Sequence, residues 1–204
     1  MRSWEAWLMS YYDEHADAYI QGTAFVDMGG QYDLFLPHLK EGASILDAGC
    51  GSGRDSRIFL DRGYRVEAFD ASLEMVKAAS ALTGLPVRLL RFQEVAYQQQ
   101  FDGIWASASL LHVPRAELSD VFGRLHRALR PGGILYASFK EREADFVNAQ
   151  RTFTCFTEEA LRPFIEQLGL FTIVDLQHSR DLRPGREEER WLNVVLQRRE
   201  PSSG

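Results

Sequence analysis

The 204-residue chain has only two cysteines, Cys50 and Cys155. Two thiols cannot build a disulfide framework, which fits a reducing compartment. No apolar run approaches the roughly 18 residues of a membrane span. The opening Met1-Arg2-Ser3-Trp4-Glu5 carries a basic residue but no apolar stretch behind it, so no secretory leader is expected. Basic charge is scarce as well: 23 Lys and Arg stand against 29 Asp and Glu, a net charge of −6. That balance argues against a general nucleic-acid partner, which needs a basic face, but leaves room for a local basic patch. The chain also lacks internal repeats, low-complexity tracts and an interdomain linker. What is present is ordinary for a globular protein. Hydrophobic residues make up 45% of the chain, which excludes a disordered or fibrous class. The length suits one domain with some decoration and a sizeable core. The expectation is a cytoplasmic single domain over residues 1–204, a monomer or small homo-oligomer with no membrane partner.

Periodicity organises the chain. Trp4, Trp7, Leu8, Tyr11, Tyr12, His15 and Tyr19 recur at steps of three and four, which predicts an amphipathic helix over 4–19 with an unusually aromatic face. A second helix is expected near 32–39. Short apolar strands and helices then alternate. Strands are expected at 44–48, 64–69, 87–90, 101–106 and 134–139. Arg54 to Asp61 reads as a helix closed by Gly63. Ser72 is a good N-cap, with Leu73, Val76 and Ala79 on one face behind it. Pro114 suits the first turn of a helix whose face is Leu118, Val121, Phe122, Leu125, Ala128 and Leu129. Pro131-Gly132-Gly133 stops it. Thr157-Glu158-Glu159 starts another helix, with a hydroxyl cap and two carboxylates at the positive dipole end. Its buried face is Leu161, Phe164, Ile165 and Leu168. Two strands follow, near 170–178 and 189–198. This alternation predicts an α/β protein with a doubly wound, mostly parallel seven-stranded sheet and an antiparallel pair at one edge. Residues 199–204 are expected to form a loose tail.

The chemistry concentrates after the first strand. Asp47-Ala48-Gly49-Cys50-Gly51-Ser52-Gly53 joins it to a helix. In open α/β sheets the ligand crevice lies beyond the C-terminal strand ends. Glycines there allow positive φ and close backbone approach to a ligand. A dinucleotide site expects G-x-G-x-x-G with a pyrophosphate at the helix N-terminus. Here the third glycine of that pattern is replaced by Arg54. Asp47 also places a carboxylate before the loop, which would repel a pyrophosphate and attract an ammonium. S-adenosylmethionine carries an α-ammonium and a sulfonium and no phosphate, so the loop suits it better.

These segments make the chain resemble the class I S-adenosylmethionine-dependent methyltransferases. The resemblance spans about residues 44–198. It rests on D-A-G-C-G-S-G at 47–53, A-F-D-A-S at 68–72, F-D-G-I-W-A at 101–106 and L-R-P-G-G-I-L at 129–135. G-R-D-S at 53–56 and L-L-H-V-P at 110–114 narrow it to a small bacterial branch that includes tellurite-resistance-type enzymes. The resemblance implies a Rossmann-like methyltransferase fold with its core over 41–198 and an N-terminal helical lid over 1–40. It implies S-adenosylmethionine as cofactor and S-adenosylhomocysteine as product. It assigns the cofactor contacts to Asp47, Ala48, Gly49, Cys50, Gly51 and Gly53. Asp70 would accept the ribose hydroxyls, with Ala71 and Met75 beside the nucleoside. Gln93 and Glu94 follow strand three, where the family contacts adenine. The family more often has an acid at the Gln93 position. Arg54 would pair with the methionine carboxylate as a guanidinium fork. Tyr12 and Tyr19 would reach over the methionyl end.

The ends of strands four and five should receive the methyl acceptor. Ser107 and Ser109, counted among the cofactor-binding residues, line that crevice, and His112 is the one residue there that titrates near neutrality, the best candidate base. Lys140, Arg142, Arg151, Arg180 and Arg183 could give an anion-attracting mouth. No metal site is expected: neither cysteine has metal spacing, and neither reads as a nucleophile. Methyl transfer needs in-line alignment in a dry site more than acid–base work. Little chain lies outside the cofactor core, so a small-molecule acceptor is expected. The rivals are an RNA or protein methyltransferase, a catalytically silent S-adenosylmethionine-binding protein and, least favoured, a nicotinamide oxidoreductase.

Overall fold

The structure is a computed structural model that describes residues 16–23, 26–148, 151–183 and 185–200. Most of the aromatic helix expected over 4–19, Tyr12 included, lies outside them. The described part begins with α1 (Ala16–Thr23), followed by α2 (Gly29–Phe35) and a short 3-10 turn over Leu36–His38.

Seven strands form one sheet: β1 (Ser44–Ala48), β2 (Arg65–Asp70), β3 (Arg88–Leu89), β4 (Phe101–Ala106), β5 (Leu129–Lys140), β8 (Phe171–Arg180) and β9 (Arg190–Arg198). Their spatial order is β3-β2-β1-β4-β5-β9-β8. The first five run parallel, and β9 runs antiparallel to both β5 and β8. The expected α/β sheet with an antiparallel pair at one edge is therefore present. Within the pair it is β9 that runs against the rest, lodged between β5 and the outermost β8. The order reverses between β1 and β4, which opens the crevice above their C-terminal ends.

The connecting helices are α3 (Arg54–Asp61), α4 (Leu73–Thr83), α5 (Leu118–Ala128) and α6 (Glu158–Leu168). In α5, Leu118, Val121, Phe122, Leu125 and Ala128 are all fully buried, as their spacing predicts. Each large apolar side chain so buried contributes about 1.5–3 kcal/mol. Pro114 stands one step earlier than expected, capping a 3-10 turn over Arg115–Glu117 that leads into α5. Strand β5 begins at Leu129, and the expected Pro131-Gly132-Gly133 break is absorbed by a register shift against β4. In α4, Ser72 Oγ accepts from the Met75 N–H at 3.3 Å, as expected of an N-cap. Met75 and Ala79 take the buried face, whereas Leu73 is exposed. Thr157 precedes α6 but makes no side-chain cap bond, so the expected hydroxyl cap is not formed.

A small hairpin, β6 (Phe146–Asn148) with β7 (Arg151–Phe153), was not expected from the sequence. Its alternating pattern is too short to register as a strand pair. The end of the chain is tied as far as it is described: Arg199 donates its N–H to Leu170 O at 2.9 Å. Residues 201–204 of the expected loose tail lie outside the described residues.

An aromatic block on one sheet face locks α2 to the strands that carry the crevice. Trp105 stacks on Tyr136 at 4.0 Å and 12°, and Tyr32, Phe35 and Phe59 pack around them. Gly103 is needed there, since a Cβ would lie 2.7 Å from Phe35 Cζ. No helix among the described residues is long and apolar enough to cross a membrane.

Candidate functional site

One cavity lies over the C-terminal ends of β1, β2, β4 and β5, and it gathers most of the residues the sequence singled out. Asp47, Gly49, Cys50, Gly51, Arg54, Asp70, Ala71, Met75, Gln93, Ser107, Ser109 and His112 all line it.

The loop after β1 is built on glycine. Gly49, Gly51 and Gly53 have φ of +75°, +54° and +86°. A Cβ on Gly49 would sit 2.5 Å from Ser109 Cβ, so this glycine lets the β1 and β4 loops meet. Ser109 uses that approach to donate Oγ–H to Ala48 O at 2.7 Å. Ala48 is fully buried and does not line the cavity; its part is this backbone carbonyl. Gly53 is likewise behind the cavity, where a Cβ would lie 2.9 Å from Ala79 Cα. Its role is close packing of α3 on α4. Ala108 lines the cavity at φ +48°, a strained position for a non-glycine residue, with its N–H on Ser138 Oγ at 2.8 Å.

Two acids flank the loop. Asp70 accepts the Gly51 N–H at 2.8 Å and the Ser72 N–H at 2.9 Å, pinning the glycine turn to the start of α4. Asp47 is buried and accepts one bond, from Ser56 Oγ to Oδ2 at 2.6 Å. Among the described residues its Oδ1 has no donor. Burial, then the nearby Asp55 charge, pushes its carboxyl up to about 8.

Asp55, which the sequence reading passed over, is the hub of this end. It accepts from Tyr32 Oη at 2.6 Å, Trp105 Nε1 at 2.8 Å, and Arg54 Nε and Nη2 at 2.7 and 3.1 Å. The signal was available in G-R-D-S: a carboxylate one residue into a helix beneath buried aromatics must find donors. Arg54 lines the cavity but lays its fork on Asp55, with Nη1 on Thr23 O at 2.9 Å. It thereby joins α1 to the loop.

Two expected adenine contacts diverge. Gln93 lines the cavity and donates to Glu117 at 2.7 Å. Glu94 does not line it; its carboxylate is exposed and caps the Arg91 N–H at 2.9 Å. Tyr19 belongs to α1, while Thr23, Val26, Met28 and Gln31 bring the N-terminal segment to the cavity wall.

On the acceptor side, His112 sits in the 3-10 turn Leu110–His112, against the β6–β7 hairpin. Its ring meets Phe153 edge-on at 4.9 Å, and Nδ1 lies 3.0 Å from Thr152 O. A carbonyl can only accept, so Nδ1 carries the proton and Nε2 the lone pair. Burial pushes the imidazole down to about 4, so it is neutral at pH 7. Such a ring is a hydrogen-bond acceptor with little capacity to hold a proton. Of the expected basic residues, Lys140, Arg151, Arg180 and Arg183 line the cavity, and Arg142 does not. Arg186, Trp191 and Phe153, none of them a residue the sequence points to, also line it. Burial raises both thiols, Cys155 to about 11, which removes them as nucleophiles at neutral pH. No cluster able to hold a metal ion occurs among the described residues.

Comparison with known proteins agrees with this geometry. The model of the methyltransferase domain family matches residues 45–133. An uncharacterized methyltransferase of Geobacillus kaustophilus is 30% identical over 150 residues, covering 69% of this chain and 67% of that protein. The malonyl-[acyl-carrier protein] O-methyltransferase of Salmonella typhimurium is 35% identical over 98 residues, 47% of this chain; the match spans only 38% of that longer protein. The crystal structure of Burkholderia thailandensis 1,6-didemethyltoxoflavin-N1-methyltransferase, with 1,6-didemethyltoxoflavin and S-adenosylhomocysteine bound, superposes with a TM-score of 0.79 at 26% identity. That match covers 96% of this chain and 87% of that one. With the sheet order, the glycine loop and its two acids, these matches place the chain in the class I S-adenosylmethionine-dependent methyltransferase family.

Proposed function

We propose that the chain transfers a methyl group from S-adenosylmethionine to a small-molecule acceptor by in-line displacement. Asp47 carries the cofactor reading. It is a buried carboxylate beside a glycine loop, with one oxygen lacking a donor and a strongly raised affinity for a proton. Such a group calls for a cation, and an α-ammonium supplies one. Asp70 supports the same reading, because its oxygens are held in place by the Gly51 and Ser72 N–H groups and face the cavity at the end of β2. Ala71 and Met75 add a short apolar wall beside it, where a nucleoside packs. When bound, S-adenosylmethionine supplies an activated methyl group on a sulfonium.

The chain's own task is then alignment and exclusion of water. Ser109, Ala108 and Ser138 fix the rim between the two halves of the cavity. His112, neutral and held by Thr152, orients an acceptor N–H or O–H through its lone pair and does not store the proton. The N-terminal segment over 1–40 acts as a lid, a reading supported by Thr23 and Arg54 meeting at the cavity. G-R-D-S and L-L-H-V-P support a place in the small bacterial branch with tellurite-resistance-type enzymes. Two reduced thiols and a net charge of −6 support a cytoplasmic setting without a nucleic-acid partner.

The experiment is turnover of labelled S-adenosylmethionine with a panel of metabolites, tellurite and selenite. Label on a small acceptor supports the proposal. Cofactor binding with no turnover on any acceptor would favour a silent binding protein, and label on RNA or protein would redirect the acceptor class.

A further inference from the structure

The cavity has two electrically different ends. Asp47, Asp55 and Asp70 lie at the glycine loop. Lys140, Arg151, Arg180, Arg183 and Arg186 lie at the other end, with Asp181. These cations come from the end of β5, strand β7, the end of β8 and the β8–β9 connection. Asp181 pairs with Arg183 at 2.5 Å, and Glu189 pairs with Lys140 and, at 3.5 Å, with Arg186. Among the described residues, five cations line this end and one carboxylate, Asp181, lines it with them, in a chain whose total is −6.

The walls at this end are apolar. Lys140 is buried, with Nζ 5.4 Å from the centre of the Trp191 ring and 5.6 Å from that of Phe153. Removing an ammonium from water is costly unless anions and aromatic faces replace the lost hydration. Arg180, at the end of β8, is exposed and has no ion-pair partner among the described residues. The end therefore combines arginine forks, which match carboxylates and phosphates, with two aromatic surfaces.

Resting on the methyltransferase reading, we propose that the acceptor is a small organic anion. Its carboxylate or phosphate group sits among Arg180, Arg183 and Arg186, and its apolar body lies against Phe153 and Trp191. The anionic group is the anchor and a different atom takes the methyl group, because an oxyanion held by guanidinium forks is a poorer nucleophile. The anchor end also lies away from Asp47 and Asp70, so acceptor and cofactor each meet charge of the opposite sign.

The test uses benzoate, phenyl phosphate and benzamide as probes, added to protein saturated with S-adenosylhomocysteine. Both anions are expected to bind at least about tenfold more tightly than neutral benzamide, and to weaken as salt is raised. The tighter of the two identifies the anionic group. In the double variant R180Q/R186Q the preference should fall to about threefold or less, with the affinity for S-adenosylhomocysteine unchanged. Equal binding of benzamide, failure of both anions to bind at millimolar concentration, or a full preference in the double variant overturns the inference while leaving the methyltransferase reading standing. Failure of S-adenosylhomocysteine itself to bind overturns both.

Discussion

Replacing Asp55 with alanine should be the most damaging single truncation near the loop. Asp55 is buried and accepts four hydrogen bonds, from Tyr32, Trp105 and twice from Arg54. Truncation strands the Tyr32 hydroxyl and the Trp105 indole N–H inside the aromatic block. Each buried donor left unmade costs about 1–3 kcal/mol. Arg54 is partly exposed, with 23% of its side chain accessible, so its lost partner adds only about 1 kcal/mol. The sum, about 3–7 kcal/mol, is a large fraction of the total stability of about 5–15 kcal/mol expected for such a domain. Urea denaturation followed by tryptophan fluorescence gives the number from the shift in midpoint at constant slope. Asp55→Asn keeps the shape and one acceptor, so it should lose roughly half as much. A loss below about 1 kcal/mol for Asp55→Ala would refute the hub assignment, since that is the range of an ordinary surface change.

Gly49→Ala should weaken S-adenosylhomocysteine binding and cost about 2–4 kcal/mol of stability, from the left-handed φ and the displaced Ser109; equilibrium unfolding of the variant measures it. Asp70→Asn should lower cofactor affinity at least about tenfold by calorimetry while keeping one acceptor for the loop N–H groups. Asp70→Ala should lose affinity and loosen the turn as well, so hydrogen exchange at Gly51 and Ser72 should rise in that variant alone. His112 and Asp47 give a pH test with opposite signs. The folded pKa of His112, about 4, lies below its ordinary 6.5, so its contribution falls as pH drops from 6.5 to 4. The folded pKa of Asp47, about 8, lies above its ordinary 3.8, so its contribution falls as pH rises between those values. The two slopes oppose each other between pH 4 and 6.5. His112→Gln should therefore uncover a stability that declines as pH rises, differing from the parent by up to about 3 kcal/mol across the window. An unchanged pH profile of unfolding would remove the buried neutral imidazole from the account.

Much of this was legible in the sequence because it rests on short-range rules. The glycine loop, Asp47, Asp70, the Ser72 cap and the apolar face of α5 are local patterns, and the structure places each where its pattern requires. What escaped was set by contacts between distant segments. Asp55 reads as a routine first-turn acid until Tyr32 and Trp105 are seen above it. Glu94 follows the right strand, but its own Arg91 lies within reach and holds it outside the cavity. Thr157 has the residue type of a cap without the bond. The β6–β7 hairpin and the β8–β9 connection bring Phe153, Arg186 and Trp191 to the cavity, and no periodicity marks such a meeting.

The most direct test of the cofactor assignment is calorimetry with S-adenosylhomocysteine at pH 7 in buffers of different ionisation enthalpy. The account predicts micromolar binding, about −8 kcal/mol, with release of up to about one proton, because a cationic amine at Asp47 drives that carboxyl to ionise. The release should vanish in Asp47→Asn. No binding at millimolar ligand, or binding with the same proton release in Asp47→Asn, would contradict it.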